Sequence, residues 1–287
     1  EKSAWYFVSI LAVNKAGATW VPLDPNYPVH RQKQILAQTG SNLVLTSPAY
    51  VQNMQGLAET VVEISPSLHA TLAENDDAGS QNPGRDVSSD TAAYILFTSG
   101  STGVPKGFVM EHSAVVSSLI PTGNKLGITS DTRMLQFAAL VFDFSIGEIL
   151  CTLLFGGCLH VPSEDTRMNG LETYMRNGKV NCAFLTPSFV RTLHPDLLPD
   201  MEILVLGGEE VGQDILDAWF GKLRLINIWG PGEAACICTV HEYTSASDQP
   251  NNIGRPTSDY CWVVDSENHE RLAPVGAVGE ILIQGPT

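Results

Sequence analysis

The stretch that most constrains this chain runs from Tyr94 to Gly107. Tyr94, Ile95, Leu96 and Phe97 form an apolar run that reads as a buried strand. Thr98, Ser99, Gly100, Ser101, Thr102 and Gly103 follow at once, and Val104, Pro105, Lys106 and Gly107 close the segment. Gly100 and Gly103 let the backbone turn sharply and expose its N–H groups. The hydroxyl residues add donors and Lys106 adds a positive charge. These are the parts needed to hold a polyphosphate. The spacing is not a Walker A loop, because Lys106 is neither preceded by glycine nor followed by Ser or Thr, and it is not the dinucleotide fingerprint. A polar surface loop is the plainer reading. Ordinary loops rarely pack so many small, hydroxylated residues directly onto a buried strand and then end in Pro-Lys-Gly.

Composition narrows the partners. The 287 residues, 44% of them hydrophobic, suffice for two or three packed subdomains. A formal net charge of −15 argues against nucleic acid, whose phosphates need a basic surface. One loop with local donors and Lys106 can still take a nucleotide. No signal peptide is found, and no apolar run is long enough for a membrane span. Cys151, Cys158, Cys182, Cys236, Cys238 and Cys261 form no Cys-x-x-Cys pair. They read as buried, reduced thiols in a cytoplasmic protein, with no structural zinc.

Along the chain, helix and strand signals alternate. Residues 5–16 carry helical spacing and stop at Gly17, and Thr19-Trp20-Val21 reads as a short strand ended by Pro22. A helix over 29–39 and a strand over 43–46 follow. Residues 65–90 lose their apolar pattern and are expected as a polar loop. A strand over 108–111, a helix over 112–126 and a strand over 133–138 lead to Phe142-Asp143-Phe144-Ser145-Ile146-Gly147, which opens an apolar helix reaching Phe155. Asp143 stands where a helix N-cap belongs. Leu204-Val205-Leu206 is a buried strand ending in Gly207-Gly208-Glu209-Glu210, either a tight turn or a binding wall. Leu223–Ile228 runs into Trp229-Gly230-Pro231-Gly232-Glu233, a Gly-Pro turn that presents a carboxylate. Repeated alternation implies a parallel α/β sheet. From about Gly254 the pattern becomes strand-like.

The Tyr94–Gly107 stretch closely resembles the phosphate-binding loop of the adenylate-forming (AMP-binding) superfamily: acyl-CoA synthetases, luciferases and nonribosomal peptide synthetase adenylation domains. Three further segments carry the same resemblance in the family's order. They are Asn14–Pro25, which contains Lys15-Ala16-Gly17 and Pro22-Leu23-Asp24, then Asn227–Glu233, then Gly279–Gly285. The opening residues look most like fungal peptide synthetases. The resemblance implies the large N-terminal core of the adenylate-forming fold across 1–287. That core has parallel sheets flanked by helices and a β-rich, distorted-barrel subdomain from about 254. The chain stops before the family's ribose aspartate, hinge and small C-terminal domain with its second lysine, so this piece alone is expected to be weak or inactive.

The family's reaction brings a carboxylate against the α-phosphate of ATP, so two anions must be neutralised and oriented. By resemblance, Thr98–Gly103 wrap the β- and γ-phosphates, Lys106 adds charge, Trp229 packs on adenine, and Asn227 lies near its edge. Gly208, Glu209 and Gly230 complete the nucleotide wall, and Glu233 binds Mg²⁺. Trp229 stands where the family has Tyr. Gly232 stands where it has Thr, removing one hydroxyl near the α-phosphate, a loss worth roughly 1.5–3 kcal/mol for a hydrogen bond to a charged group.

Phe-Asp-x-Ser is typical of the amino-acid-activating members, in which the aspartate pairs with the substrate's α-ammonium. That role falls on Asp143. The family's pocket positions fall on Asp143, Phe144, Gly147, Phe184, Val205, Gly207, Ile228, Cys236 and Ile237. Only Asp143 is charged, so a neutral, apolar amino acid is expected. The implied activity is ATP-dependent formation of an aminoacyl-adenylate, for transfer to phosphopantetheine on a partner carrier domain within a megasynthetase that also holds condensation domains. The alternatives are an acyl- or aryl-CoA ligase, or a non-catalytic scaffold for which Gly232 would be the sign.

Overall fold

A computed structural model describes residues 2–74, 86–98 and 104–285. The chain separates into two compact units, Glu1–His112 and Ser113–Thr287.

The first unit opens with a helix, Ala4–Lys15, and Gly17 turns the chain out of it at φ 74°. A second helix, Val29–Thr39, ends at Gly40 with φ 62°, where Ser41 N–H donates back to Leu36 O at 3.1 Å. β1 (Leu43–Thr46) and β2 (Thr60–Glu63) pair in parallel, with Leu36, Val44 and Met54 buried against them. β3 (Ala92–Thr98) and β4 (Lys106–Glu111) form an antiparallel hairpin, so the parallel rule does not reach this element.

Two expectations fail in this unit. Thr19–Val21 is no strand. Trp20 makes a single bridge to Tyr94, because Pro22 offers no N–H to carry a ladder further. Residues 65–90 are not a uniform loop, since Pro66–Glu74 is helical. The missed signal is Ser65 followed by Pro66 at the first helical position, with Leu68 and Leu72 four residues apart. The Trp5 and His69 rings lie 5.8 Å apart, packing that helix onto the first one.

The second unit begins on the helix His112–Leu126, which leads into a seven-stranded sheet. Its strands are β5 (Arg133–Leu135), β6 (Cys158–His160), β7 (Cys182–Leu185), β8 (Ile203–Leu206), β9 (Arg224–Trp229), β10 (Thr239–Glu242) and β11 (Arg255–Pro256), in the order β11-β10-β9-β8-β7-β5-β6. The five strands from β6 to β9 run parallel, and β10 and β11 are antiparallel. β7 and β8 are buried at every position, as parallel strands covered on both faces must be. Leu204, Leu206, Ile215, Leu216 and Trp219 anchor the core on one face.

A separate three-stranded antiparallel sheet holds β12 (Tyr260–Asp265), β13 (Asn268–Leu272) and β14 (Glu280–Gln284). This separate sheet begins at Tyr260, after β11 at Arg255–Pro256 has paired with the large sheet. Gly254, at φ 78°, has no room for a Cβ against Val240 O, and this close approach lets β11 join the large sheet first. Four cysteines are buried as expected, but Cys158 is exposed and Cys261 half-buried. Among the described residues, no helix is long and apolar enough to cross a membrane.

Candidate active site

The expected phosphate loop hangs from the β3/β4 hairpin. Thr98 pairs with Lys106 and Phe97 with Gly107, and Thr98 Oγ1 donates to Lys106 O at 3.3 Å. The Phe97 ring packs closely over Gly107, where a Cβ would lie 2.9 Å from Phe97 Cζ. Gln38 Nε2, on the second helix, donates to Pro105 O at 3.0 Å and fixes the base of the hairpin. Lys106 stands exposed at the foot of the loop. Ser99, Gly100, Ser101, Thr102 and Gly103 lie outside the described residues.

The remaining predicted residues belong to the second unit. A parallel sheet offers its ligand site beyond the carboxyl ends of its strands. The register aligns those ends, with Leu135 beside Ala183, Leu185 beside Leu206, and Leu206 beside Asn227. At this edge a cavity of about 510 Å³ opens. It is lined by Asp143 and Phe144, by Gly208, Glu209 and Glu210, by Asn227, Ile228, Trp229 and Gly230, and by Cys236. Phe142, Val211, Asn251 and Ile253 complete the wall.

Within the cavity, Asp143 does two jobs at once. It caps the helical segment Phe144–Ile146, with Oδ1 accepting from Phe144 N–H at 2.9 Å. It also faces the cavity, where burial raises its pKa first, the Phe144 N–H lowers it, and the charge of Glu233 raises it again. Capping the helical segment and facing the cavity are therefore compatible. Cys236 also lines the cavity, and burial, then the negative charge of Asp143, pushes its thiol well up, so it stays a neutral thiol.

The other pocket positions form a layer behind the wall. Phe184, Val205 and Ile226 are in register on one face of the sheet, and Gly207 and Ile228 continue that face two residues on. The Phe144 and Phe184 rings meet at 5.8 Å and 64°. A Cβ on Gly207 would lie 2.8 Å from Phe144 Cζ, and one on Gly147 would lie 3.2 Å from Phe184 Cε2 and 3.5 Å from Ile237 Cδ1. Gly147, Phe184, Val205, Gly207 and Ile237 thus shape the cavity from behind.

Among the residues expected to face a nucleotide, Glu209 is already engaged. Its Oε2 accepts from Ser188 N–H at 2.8 Å and from the Ser188 hydroxyl, which hold its carboxyl below the usual range. Asn227 Nδ2 donates to Asn252 O at 2.9 Å. Gly230 permits a close backbone approach, since a Cβ there would lie 2.8 Å from Cys238 N. Glu233 sits exposed in the single turn Gly232–Ala234, outside the cavity wall, yet near enough for its charge to reach Asp143.

Sequence reading missed three features. Ala235 and Cys236 both adopt positive φ, 52° and 75°, conformations costly for residues with a Cβ. Ile237 N–H donates to Ala235 O at 2.9 Å, closing a γ-turn on Cys236. The fully buried Ser118 hydroxyl spans that turn, reaching Ala235 O at 3.2 Å and Ile237 O at 3.3 Å. The third feature is Glu148, a fully buried carboxylate in the π-helical turn Gly147–Cys151. Only a π-turn placed beside a strand exit would have signalled it.

Comparison with known proteins agrees with this geometry. Residues 1–287 match the family described as AMP-binding enzyme. The chain belongs to the AMP-binding enzyme family. Nonribosomal peptide synthetase TES of Alternaria alternata is 45% identical over 286 residues, covering 100% of this chain and 5% of that protein. Enniatin synthetase of Fusarium oxysporum is 38% identical, covering 99% of this chain and 9% of its own length. Among solved structures, the N-terminal subdomain of Klebsiella oxytoca NpsA superposes with a TM-score of 0.82 at 26% identity, covering 99% of this chain and 72% of that one. The chain spans only a small part of the length of the curated relatives it matches.

Proposed function

We propose that this AMP-binding core activates a neutral α-amino acid with ATP and serves a carrier domain in a peptide-assembling synthetase. The observation that carries the reading is Asp143: one half-buried carboxylate on the wall of an otherwise apolar corner made by Phe144, Ile228 and the neutral Cys236 thiol. An α-ammonium placed there relieves the charge that burial disfavours. An acidic side chain is unwelcome, because Glu209 and Glu210 share the same wall. Trp229, Gly208 and Gly230 offer a flat face and close backbone for adenine, with Asn227 at the edge.

The substrate carboxylate oxygen attacks the α-phosphorus, the α–β bridging oxygen leaves with pyrophosphate, and a carboxyl–phosphate anhydride forms. A carrier phosphopantetheine thiolate then attacks the carbonyl carbon and AMP leaves. Lys106 and the loop at the β3/β4 hairpin neutralise the phosphates. Mg²⁺, which takes one or two carboxylates and completes its shell with phosphate oxygens and water, suits the exposed Glu233, and it would supply charge neutralisation there. The described residues contain no closed cluster of three ligands for a resident metal.

A solved four-domain synthetase bound to AMP and glycine, 25% identical with a TM-score of 0.79, supports the amino-acid reading. An artificially fused adenylation–carrier didomain built on NpsA supports the carrier. The NpsA subdomain holding a 3-hydroxybenzoyl ligand marks the competing aryl-acid class. The test is ATP–pyrophosphate exchange by the full-length protein across neutral, charged, hydroxy and aryl acids, with Asp143→Ala alongside. Exchange with one neutral amino acid, lost in the variant, is the expected result. Exchange with an acid lacking an amine, untouched by the variant, overturns it.

A further inference from the structure

Asp143 sits at the end of a loop that leaves β5 at Gln136, and that loop is strapped to the helix that follows it. At its near end, Glu148 Oε1 accepts from Phe137 N–H and Ala138 N–H, both at 3.0 Å. Oε2 accepts from Gln136 Nε2 at 2.8 Å and from Ala138 N–H at 3.2 Å. At its far end, the buried Ser145 hydroxyl donates to Phe142 O at 2.7 Å, and Phe142 N–H donates to Ala139 O at 2.9 Å. Ser145 and Glu148 are three residues apart, one turn of the same helical stretch. Both ends of the loop are therefore set by one rigid element.

We propose that Glu148 is a positioning residue: its buried carboxylate fixes the exit of β5 and so holds Asp143 where it meets the substrate ammonium. Glu148 is not among the residues that line the cavity. An apolar side chain could fill its volume, but it could not satisfy the strand-exit amides. The carboxylate is specified because it offers acceptors only. A glutamine of the same shape would turn an N–H₂ toward backbone N–H donors and push the loop away.

The inference rests on the amino-acid reading, and its test separates the two. The full-length protein is titrated calorimetrically with two probes. One is a non-hydrolysable adenylate analogue of the amino acid that gives the strongest exchange, and the other is its des-amino counterpart. The adenylate part binds in both, so the ratio of the two Kd values reports the ammonium contact alone. In the native protein the amine form is expected to bind much more tightly. In Glu148→Gln that preference falls about tenfold or more, the scale of a charged hydrogen bond, while the des-amino probe changes less than about twofold.

Equal loss for both probes means that Glu148 only holds the fold, and an unchanged preference means that it does not act on Asp143. Either result overturns the inference while leaving the amino-acid reading intact. A native protein that ignores the amine overturns both. If Glu148→Gln does not fold, Gln136→Leu removes one donor to the same carboxylate and is judged on the same ratio, with a smaller expected fall.

Discussion

The β3/β4 hairpin and the cavity at the edge of the large sheet are built by opposite means, and under the proposed function each would hold part of an anionic substrate. The hairpin is local. Fourteen consecutive residues carry its strand, its donors and its lysine, and the pairing of Thr98 with Lys106 closes it. The cavity is assembled from residues as distant as Asp143 and Ile253, brought together because parallel strands end at one edge. A local device depends on a few backbone positions and treats all substrates alike. An assembled one depends on the register of the whole sheet and can discriminate. The difference predicts which changes hurt every substrate and which hurt one.

The largest effects should come from removing one charge in each region. Lys106→Ala should lower exchange for every accepted acid by a similar factor. Asp143→Ala should cut exchange with amino acids by about 30-fold or more, the scale of truncating one partner of a desolvated charge pair, and leave the KM for ATP nearly unchanged. Parallel losses across the panel for both variants would erase the distinction between the two regions.

Asp143 should also oppose function to stability. Its folded pKa is raised by burial above the usual aspartate value. The stability linked to this group is therefore present below the ordinary aspartate range and is lost as pH rises through the raised pKa. Asp143→Asn should melt higher than the native protein at neutral pH, with the gap closing as the pH is lowered toward the ordinary range. Native exchange activity should run the other way, falling as Asp143 protonates. Paired melting and exchange series across pH measure both trends. A pH-independent difference in melting would remove Asp143 from the account.

How much of this was legible follows from the same contrast. Tyr94–Gly107 announced its first strand because the run Tyr94–Phe97 is contiguous in sequence and pairs with a strand close by in sequence. Asp143 and Glu233 could be named from motifs, but the reach of the Glu233 charge to Asp143 could not, since it depends on folding. Ser118 left no mark at all. A serine in an ordinary helix carries no sign that it will reach two carbonyls more than a hundred residues away. Pro66–Glu74 was misread for a different reason: the polar tail after it diluted a helical pattern only two apolar turns long.

Smaller effects sharpen the comparison further. Gly207→Ala places a Cβ 2.8 Å from Phe144 Cζ, so the ring must shift into the cavity. Overpacking of this kind costs about 1–3 kcal/mol, and preference should move toward smaller side chains in the exchange panel. Ser118→Ala removes the hydroxyl that spans the γ-turn at Cys236. It should cost about 1–2 kcal/mol in denaturant unfolding, and it should raise the amino-acid KM more than the ATP KM. A change confined to the ATP KM would place the turn in the nucleotide half of the cavity.

The smallest expected effect tests the hairpin. Gln38 Nε2 holds Pro105 O, the last carbonyl before Lys106, and it is a single neutral hydrogen bond in a half-buried place. Gln38→Ala should cost only about 0.5–1.5 kcal/mol of stability. Its functional signature is the informative part. If the hairpin is a substrate-blind device, loosening its base should raise the KM for ATP by the same factor whichever amino acid is supplied, with the ranking of substrates unchanged. A reordered ranking would mean that the hairpin takes part in choosing the acid, and the division of labour between a local clamp and an assembled pocket would have to be abandoned.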